Sequence, residues 1–301
     1  MQHHQHRPHH PVYTFALLLA AMIWGFAFVA QVRGVEFMGS LTFGGARFLM
    51  GALSLLPMVF LFERKRASKE ERRRTWRCGA VCGVVLFAAS TLQQYGIEFT
   101  GSAGKSGFIT GLYTVLVPIV SIFLGKRPSL LTGIGAVFAF GGLYFLSAPN
   151  GFGRVEPGDI FLVIGAVFWT LHILLLDAFM PKLRPLRFSV VQFLVCGLLS
   201  SAAALLFEQP TWHALRAGLT PLLYGGLLSV GVAYTLQTVS QRRVEPTSCA
   251  IIFSMEGLFA AIGGFFLLGE RLGWKGYLGG GLMLAGILLS QLRPKKREAA
   301  S

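Results

Sequence analysis

Stretches of about 20 mostly apolar residues recur ten times along this chain, at about 13–31, 41–62, 77–95, 105–125, 129–147, 159–177, 187–207, 218–239, 247–268 and 273–291. A helix of that length matches the roughly 30 Å hydrocarbon core of a bilayer. Hydrophobic residues make up 53% of the chain and charged ones only 13%, where a soluble domain carries about 25% charged residues. Mean hydropathy is +0.61. So much apolar surface needs lipid as its solvent, and the expected fold is an all-α integral membrane protein of ten transmembrane helices. The starts of the fourth and ninth runs are rich in Gly, Ser and Thr. The longest hydrophilic stretch between runs, 63–77, is too short for a soluble catalytic domain.

The net charge of +14 could suggest a nucleic-acid partner, but the basic residues sit in short segments between apolar runs. That distribution reflects topology, so no nucleic acid is expected. On the side that carries the N-terminus the segments hold 20 Lys and Arg, against 6 on the other, with Arg47 inside the second run. Basic loops mark the cytoplasmic side. Both termini are therefore expected in the cytoplasm, in a multi-pass protein of the cell inner (plasma) membrane. A one-span error would scramble the bias, so the bias also supports the count of ten.

The four cysteines, Cys78, Cys82, Cys196 and Cys249, lie in or beside apolar runs. Cys78 and Cys82 share a helix face, but no further ligands for a metal lie nearby. They are expected to be small core residues. Residues 1–12, with five of the seven histidines, are expected to be a disordered leader, and 292–301 a basic cytoplasmic tail. No metal and no cofactor is expected.

The chain also repeats itself. Ala21 and Trp24 recur 145 residues later as Ala166 and Trp169, and Arg47-Phe48 aligns with Gln192-Phe193. At an offset of 144, Leu92-Gln93 matches Leu236-Gln237, and the segment 124–127 matches 268–271. The Pro- and Gly-rich stretch 148–158 is the natural linker between units 13–147 and 159–291. Five spans is an odd number, so the second unit starts from the opposite side and the repeats are inverted. Carriers commonly place their site between such halves.

Several motifs in this register resemble the drug/metabolite transporter superfamily, in its ten-helix branch with paired EamA domains. They are Ala21–Gly25 (Ala-x-x-Trp-Gly), Ala46-Arg47-Phe48, the segment Ala103–Gly111, Phe253-Ser254-Met255-Glu256, and Leu268-Gly269-Glu270-Arg271 before a glycine-rich last helix. The resemblance covers roughly 13–291. It implies transport of amino acids or related metabolites, often export, without ATP hydrolysis. Two positions depart from the family pattern. Gly257 stands where the family has Pro after Glu, and Lys126 where the first half usually has Glu.

A charge near the bilayer centre costs about 2.5–3.5 kcal/mol, so each one needs a reason. Glu256, some ten residues into its run, could bind a substrate amine, carry a proton, or make a structural hydrogen bond. Arg47, two turns into its run, could bind a carboxylate, snorkel, or join a structural pair. His172 is one turn beyond Trp169 and could face the same cavity, where an imidazole suits proton coupling. A hydrogen-bonded core histidine is the alternative. Lys105 opens the fourth run and either serves the pathway or reaches the interface. Trp24 and Trp169 are repeat mates, as are Gln93 and Gln237, and Tyr113 corresponds to the Glu256-Gly257 segment; symmetric placement suits a shared aromatic-walled pocket. Anchoring at the interface and helix packing are the alternatives. Gly107/Gly111 and Gly276/Gly280 are small-residue pairs, read as close packing within the chain rather than dimerisation, which leaves the oligomeric state open.

No Walker motif, HExxH or nucleophile elbow occurs, and no acidic cluster suits metal-assisted transfer. The expectation is a secondary transporter of small molecules in a lipid bilayer, not an enzyme. A channel or a membrane-embedded enzyme is the alternative.

Overall fold

The computed structural model describes residues 11–64, 67–125, 128–147, 156–269 and 273–291. Most of the His-rich leader, most of the linker, the basic tail, Lys126 and Glu270-Arg271 lie outside the described residues.

Among the described residues, eight helices are long and apolar enough to cross a membrane, and two shorter apolar ones complete the set of ten. In chain order they are α1 (Pro11–Gly34), α2 (Ser40–Phe62), α3 (Lys69–Thr100), α4 (Ala103–Phe123), α5 (Leu130–Ser147), α6 (Pro157–Lys182), α7 (Pro185–Phe207), α8 (Leu219–Ser240), α9 (Pro246–Leu268) and α10 (Trp274–Gln291). The shorter two, α5 and α10, have 18 residues each, and so rise about 27 Å, close to the hydrocarbon thickness.

The third helix differs most from expectation. Its 32 residues begin at Lys69, inside the segment read as a loop. Ser68 caps it by accepting from the Glu71 backbone N–H at 3.1 Å, with Glu70 and Glu71 in the first turn. A side-chain oxygen at the N-cap and acids beside the helix's positive end stabilise a helical start even in a charged segment. Two extra turns therefore carry Arg72, Arg73, Arg74 and Arg77 beyond the apolar span.

The two halves interdigitate. The strongest contacts join mates to each other, α2 to α7 and α5 to α10, or come in mirrored sets: α1–α8 with α3–α6, α2–α8 with α3–α7, and α1–α9 with α4–α6. Pairing of that kind is what a pseudo-two-fold relation between inverted five-helix repeats requires. Phe48 and Phe193, repeat mates, meet at a ring separation of 6.2 Å near that axis. Between α5 and α10 the backbones nearly touch. A Cβ on Gly135 would lie 2.6 Å from the Gly286 carbonyl, and one on Gly286 would lie 2.5 Å from that of Gly135. Of the glycine pairs singled out above, Gly107 packs on Gly257 and Ala260, Gly111 faces Leu143, and Gly280 faces Leu258. The side chain of Cys82 is buried with Leu176, Met180 and Phe188.

The α2–α7 pair is fastened at both ends by the same device. Glu63, just past α2, accepts from the backbone N–H groups of Leu186 (3.0 Å) and Arg187 (3.2 Å) at the start of α7. Glu208, just past α7, accepts from the N–H groups of Leu41 and Thr42, both at 2.8 Å, at the start of α2. The Thr42 hydroxyl adds a third bond at 2.5 Å. Glu63 and Glu208 are 145 residues apart, as are their donors. Each carboxylate satisfies backbone donors that a helix start leaves unpaired, at the end where negative charge is favoured.

Candidate functional site

The fourth helix of each repeat is broken near the middle of its length. In α4 the break lies at Gly111-Leu112, between pieces Ala103–Thr110 and Tyr113–Phe123. The turn is tight, with Thr114 N–H donating to the Gly111 carbonyl at 2.9 Å. Pro118, one turn further, has no N–H for the Thr114 carbonyl, which loosens the same region. In α9 the break lies at Ser254, between Pro246–Phe253 and Met255–Gly263. The Ser254 hydroxyl donates back to the Ile251 carbonyl at 2.6 Å, a bond that competes with regular helix pairing. The helix is thus irregular just before Glu256, at Ser254 rather than at Gly257.

The two breaks are stitched together. The Tyr113 hydroxyl donates to Glu256 Oε1 at 2.7 Å, and the Thr114 hydroxyl to the Ala250 carbonyl at 3.3 Å. Glu256 stands in the first turn of its half-helix, where the aligned peptide dipoles favour a carboxylate. Transporters use the ends of such discontinuous helices to hold polar ligands at the midplane.

Around this junction lies a central cavity of ≈ 40 Å³, room for about three waters. Seven residues anticipated from sequence lie on its wall: Trp24, Arg47, Gln93, Tyr113, Trp169, Gln237 and Glu256. Both charged groups are deeply buried, with Arg47 3% and Glu256 5% exposed. The Arg47 guanidinium lies over the rings of Phe43 (5.4 Å) and Phe48 (5.1 Å). Its Nε has no hydrogen-bond partner among the described residues. The same holds for Trp169 Nε1, Thr110 Oγ1, Gln31 Oε1 and Gln237 Oε1. Trp24 donates through Nε1 to the Ser229 carbonyl at 3.3 Å. Tyr234 ties the aromatic wall together, 4.7 Å from Trp24 and 6.1 Å from Trp169 between ring centroids.

Two anticipated residues stand elsewhere. His172 touches Trp169 edge-on at 5.9 Å, but it is fully buried behind the wall, with Nε2 3.1 Å from Gln192 Oε1. That imidazole takes the core position named above as the alternative. Lys105 sits at the start of α4 and makes ion pairs with Glu156 (2.9 Å) and Asp159 (2.8 Å) at the start of α6. At this end of α4 the charge finds its acids in the linker and at the start of α6, and Lys105 is not among the residues that line the cavity.

Sequence reasoning missed Ala27, Phe28, Gln31, Thr110, Ile173, Ser229, Tyr234 and Phe253 on the wall. A helical-spacing signal would have found most of them. Thr110, Tyr234 and Phe253 each precede an anticipated residue by three positions, Ile173 follows Trp169 by four, and Gln31 follows Trp24 by seven. Residues so spaced share a helix face. Ser229 escapes the rule because Tyr224–Ala233 is wound as a π-helix.

Comparisons with known proteins agree with this architecture. An uncharacterized transporter of Archaeoglobus fulgidus is 28% identical over 278 residues, which cover 92% of this chain and 85% of the relative. Uncharacterized transporter YwfM of Bacillus subtilis is 27% identical over 299 residues, 96% of this chain and 97% of its own. A solved crystal structure superposes with a TM-score of 0.77 at 16% identity, covering 94% of this chain and 97% of the other, a likeness of fold. The profile of the EamA-like transporter family matches twice, over residues 12–148 and 156–292, and the chain thus belongs to the EamA-like transporter family.

Proposed function

We propose that this protein is a secondary transporter that moves small metabolites, such as amino acids or related compounds, by alternating access at the cavity between its two repeats. One observation carries this: Arg47 from the first repeat and Glu256 from the second open onto one buried cavity without pairing with each other. Glu256 has only the neutral Tyr113 hydroxyl as a partner, and a buried charge without a counter-charge is costly. An amphoteric substrate supplies both partners, its anionic group to Arg47 and its amine to Glu256, and a proton can replace the amine on the return step. Trp24 and Trp169 form the apolar sides, and Gln93 and Gln237 offer amides. Tyr113 couples the carboxylate to the opposite break. Lys105 holds the rim of the pathway, and His172 braces Trp169 from behind.

With room for only about three waters, the cavity must widen to load a metabolite. Mirrored contacts give each side of the membrane an equivalent way to open, and rocking of the units 13–147 and 159–291 alternates between them. The basic loops support an inner (plasma) membrane location with both termini cytoplasmic, and export is the direction that the family resemblance favours.

Flux into proteoliposomes tests the proposal. Saturation with substrate and acceleration by substrate on the far side are expected of a carrier. Unsaturable flux without counter-exchange would make it a channel, and product formation in sealed vesicles would make it an enzyme. Glu256→Gln keeps the shape of the side chain while removing its charge; it should insert and fold but lose transport. Full uptake at equal expression would assign Glu256 to the scaffold.

A further inference from the structure

The pseudo-two-fold relation lets each half serve as the control for the other. At the repeat separation of 145 residues, Arg47 corresponds to Gln192 and Ala27 to His172. In the second half the polar residue on α7 is occupied by its mate on α6, with His172 Nε2 3.1 Å from Gln192 Oε1. Neither residue reaches the cavity. In the first half the same two places hold a guanidinium and a methyl group, and both Ala27 and Arg47 line the cavity. The second repeat closes with an imidazole a space that the first leaves open. The lining is therefore asymmetric at this pair of positions, with Ala27 and Arg47 on the cavity wall and His172 and Gln192 off it.

We propose that this opening is an anion subsite: the position on Arg47 that Ala27 leaves free, and that His172 fills in the other repeat, takes a carboxylate. The idea rests on the transporter reading above and deepens it by making Ala27 a specificity-determining residue. The chemistry fits. A guanidinium offers planar, paired donors that match the two oxygens of a carboxylate. Arg47 is only 3% exposed, its Nε lacks a protein partner among the described residues, and no carboxylate among the described residues pairs with it. The flanking Phe43 and Phe48 rings restrict the guanidinium in a water-poor setting, where a hydrogen-bonded ion pair gains strength. The indole N–H of Trp169, also without a partner among the described residues, adds a donor on the same cavity wall. The ≈ 40 Å³ available suits a group of about three or four heavy atoms, so a carboxylate enters and the rest of a substrate requires the widened state.

The test uses full-length protein in detergent, melted in acetate or in acetamide, the uncharged isostere, at constant ionic strength. Binding to the folded state raises Tm with concentration. Acetate should raise the Tm of the unaltered protein, and acetamide should not. Ala27→His fills the space and should weaken acetate binding by roughly tenfold to a hundredfold, the range of charge-assisted hydrogen bonds. Ala27→His with Arg47→Gln copies the His172–Gln192 pair into the first half. That variant should melt near the parent protein yet ignore acetate, which separates loss of the subsite from loss of the fold. Equal responses of the parent protein to acetate and acetamide would overturn the proposal, as would an unchanged acetate affinity in Ala27→His. The transporter reading is tested separately by flux: saturable counter-exchange with no acetate response would keep the carrier and remove the subsite, whereas an acetate-specific rise in Tm without saturable flux would keep the subsite and remove the carrier.

Discussion

Glu208 and Gly39 make the sharpest test of how the two repeats are held together. The Glu208 carboxylate takes two backbone donors and one hydroxyl from the start of α2. A hydrogen bond to a charged group contributes about 1.5–3 kcal/mol when buried, and a charge at a helix N-terminus about 0.3–1 kcal/mol. Glu208 is only half-buried, so the three bonds together should be worth about 2–4 kcal/mol rather than their full sum. Glu208→Ala should then lower the apparent Tm by roughly 5–10 °C at one fixed scan rate. Gly39, the N-cap of α2, has φ −63 and ψ 158, a backbone conformation alanine adopts freely. Yet a Cβ there would collide with the Glu208 carboxylate. Gly39→Ala should therefore displace the carboxylate and cost nearly as much as Glu208→Ala. In the Glu208→Ala background the same change should cost only about 0.5 kcal/mol, the effect of a poorer N-cap. If the two losses simply add, the carboxylate is not what Gly39 makes room for; if Glu208→Ala leaves Tm unchanged, the clamp is not a source of stability.

Three further outcomes are expected. Tyr113→Phe removes the bond to Glu256 and leaves a buried carboxylate short of a partner; it should cost about 1–3 kcal/mol in thermal unfolding and slow transport at unchanged expression. Gly286→Leu puts a side chain against the α5 backbone and should lower stability by more than about 3 kcal/mol, read as loss of the monodisperse species by size exclusion in detergent; normal yield would disprove the close α5–α10 contact. A cysteine at Glu70 should resist a membrane-impermeant thiol reagent in intact cells but react in inverted vesicles. Ready labelling from outside would reverse the proposed orientation.

The number of helices and the repeat were legible because both follow from hydrophobic length and from matching residues at a nearly constant offset. The breaks in α4 and α9 were half legible: clusters of Gly, Ser and Thr marked their surroundings, but the break positions depend on which backbone carbonyl Ser254 captures. The early start of α3 was obscured because charged residues end an apolar run without ending a helix. Ser68 followed by Glu71 was the available signal, a capping pattern that hydropathy ignores. For the cavity, Trp24, Arg47 and Glu256 stood out by type and depth, whereas Thr110 and Tyr234 look ordinary until helix faces are aligned. Lys105 and His172 show the limit in the other direction. A polar side chain in an apolar run signals a need for a partner, and only packing decides whether that partner is the protein itself, as with Asp159 and Gln192.

The paired clamps on α2 and α7 bear on how such a chain could arise. Each five-helix half carries one carboxylate at the end of its second helix and one set of donors at that helix's start. Two identical halves inserted in opposite orientations would present those parts to each other at both membrane faces, and each would close the other's clamp. Such an assembly needs no second gene, only a half-length ancestor indifferent to its orientation. Duplication and fusion would then free each copy to diverge at the centre, one keeping an arginine and the other a glutamine, while the ends stayed matched.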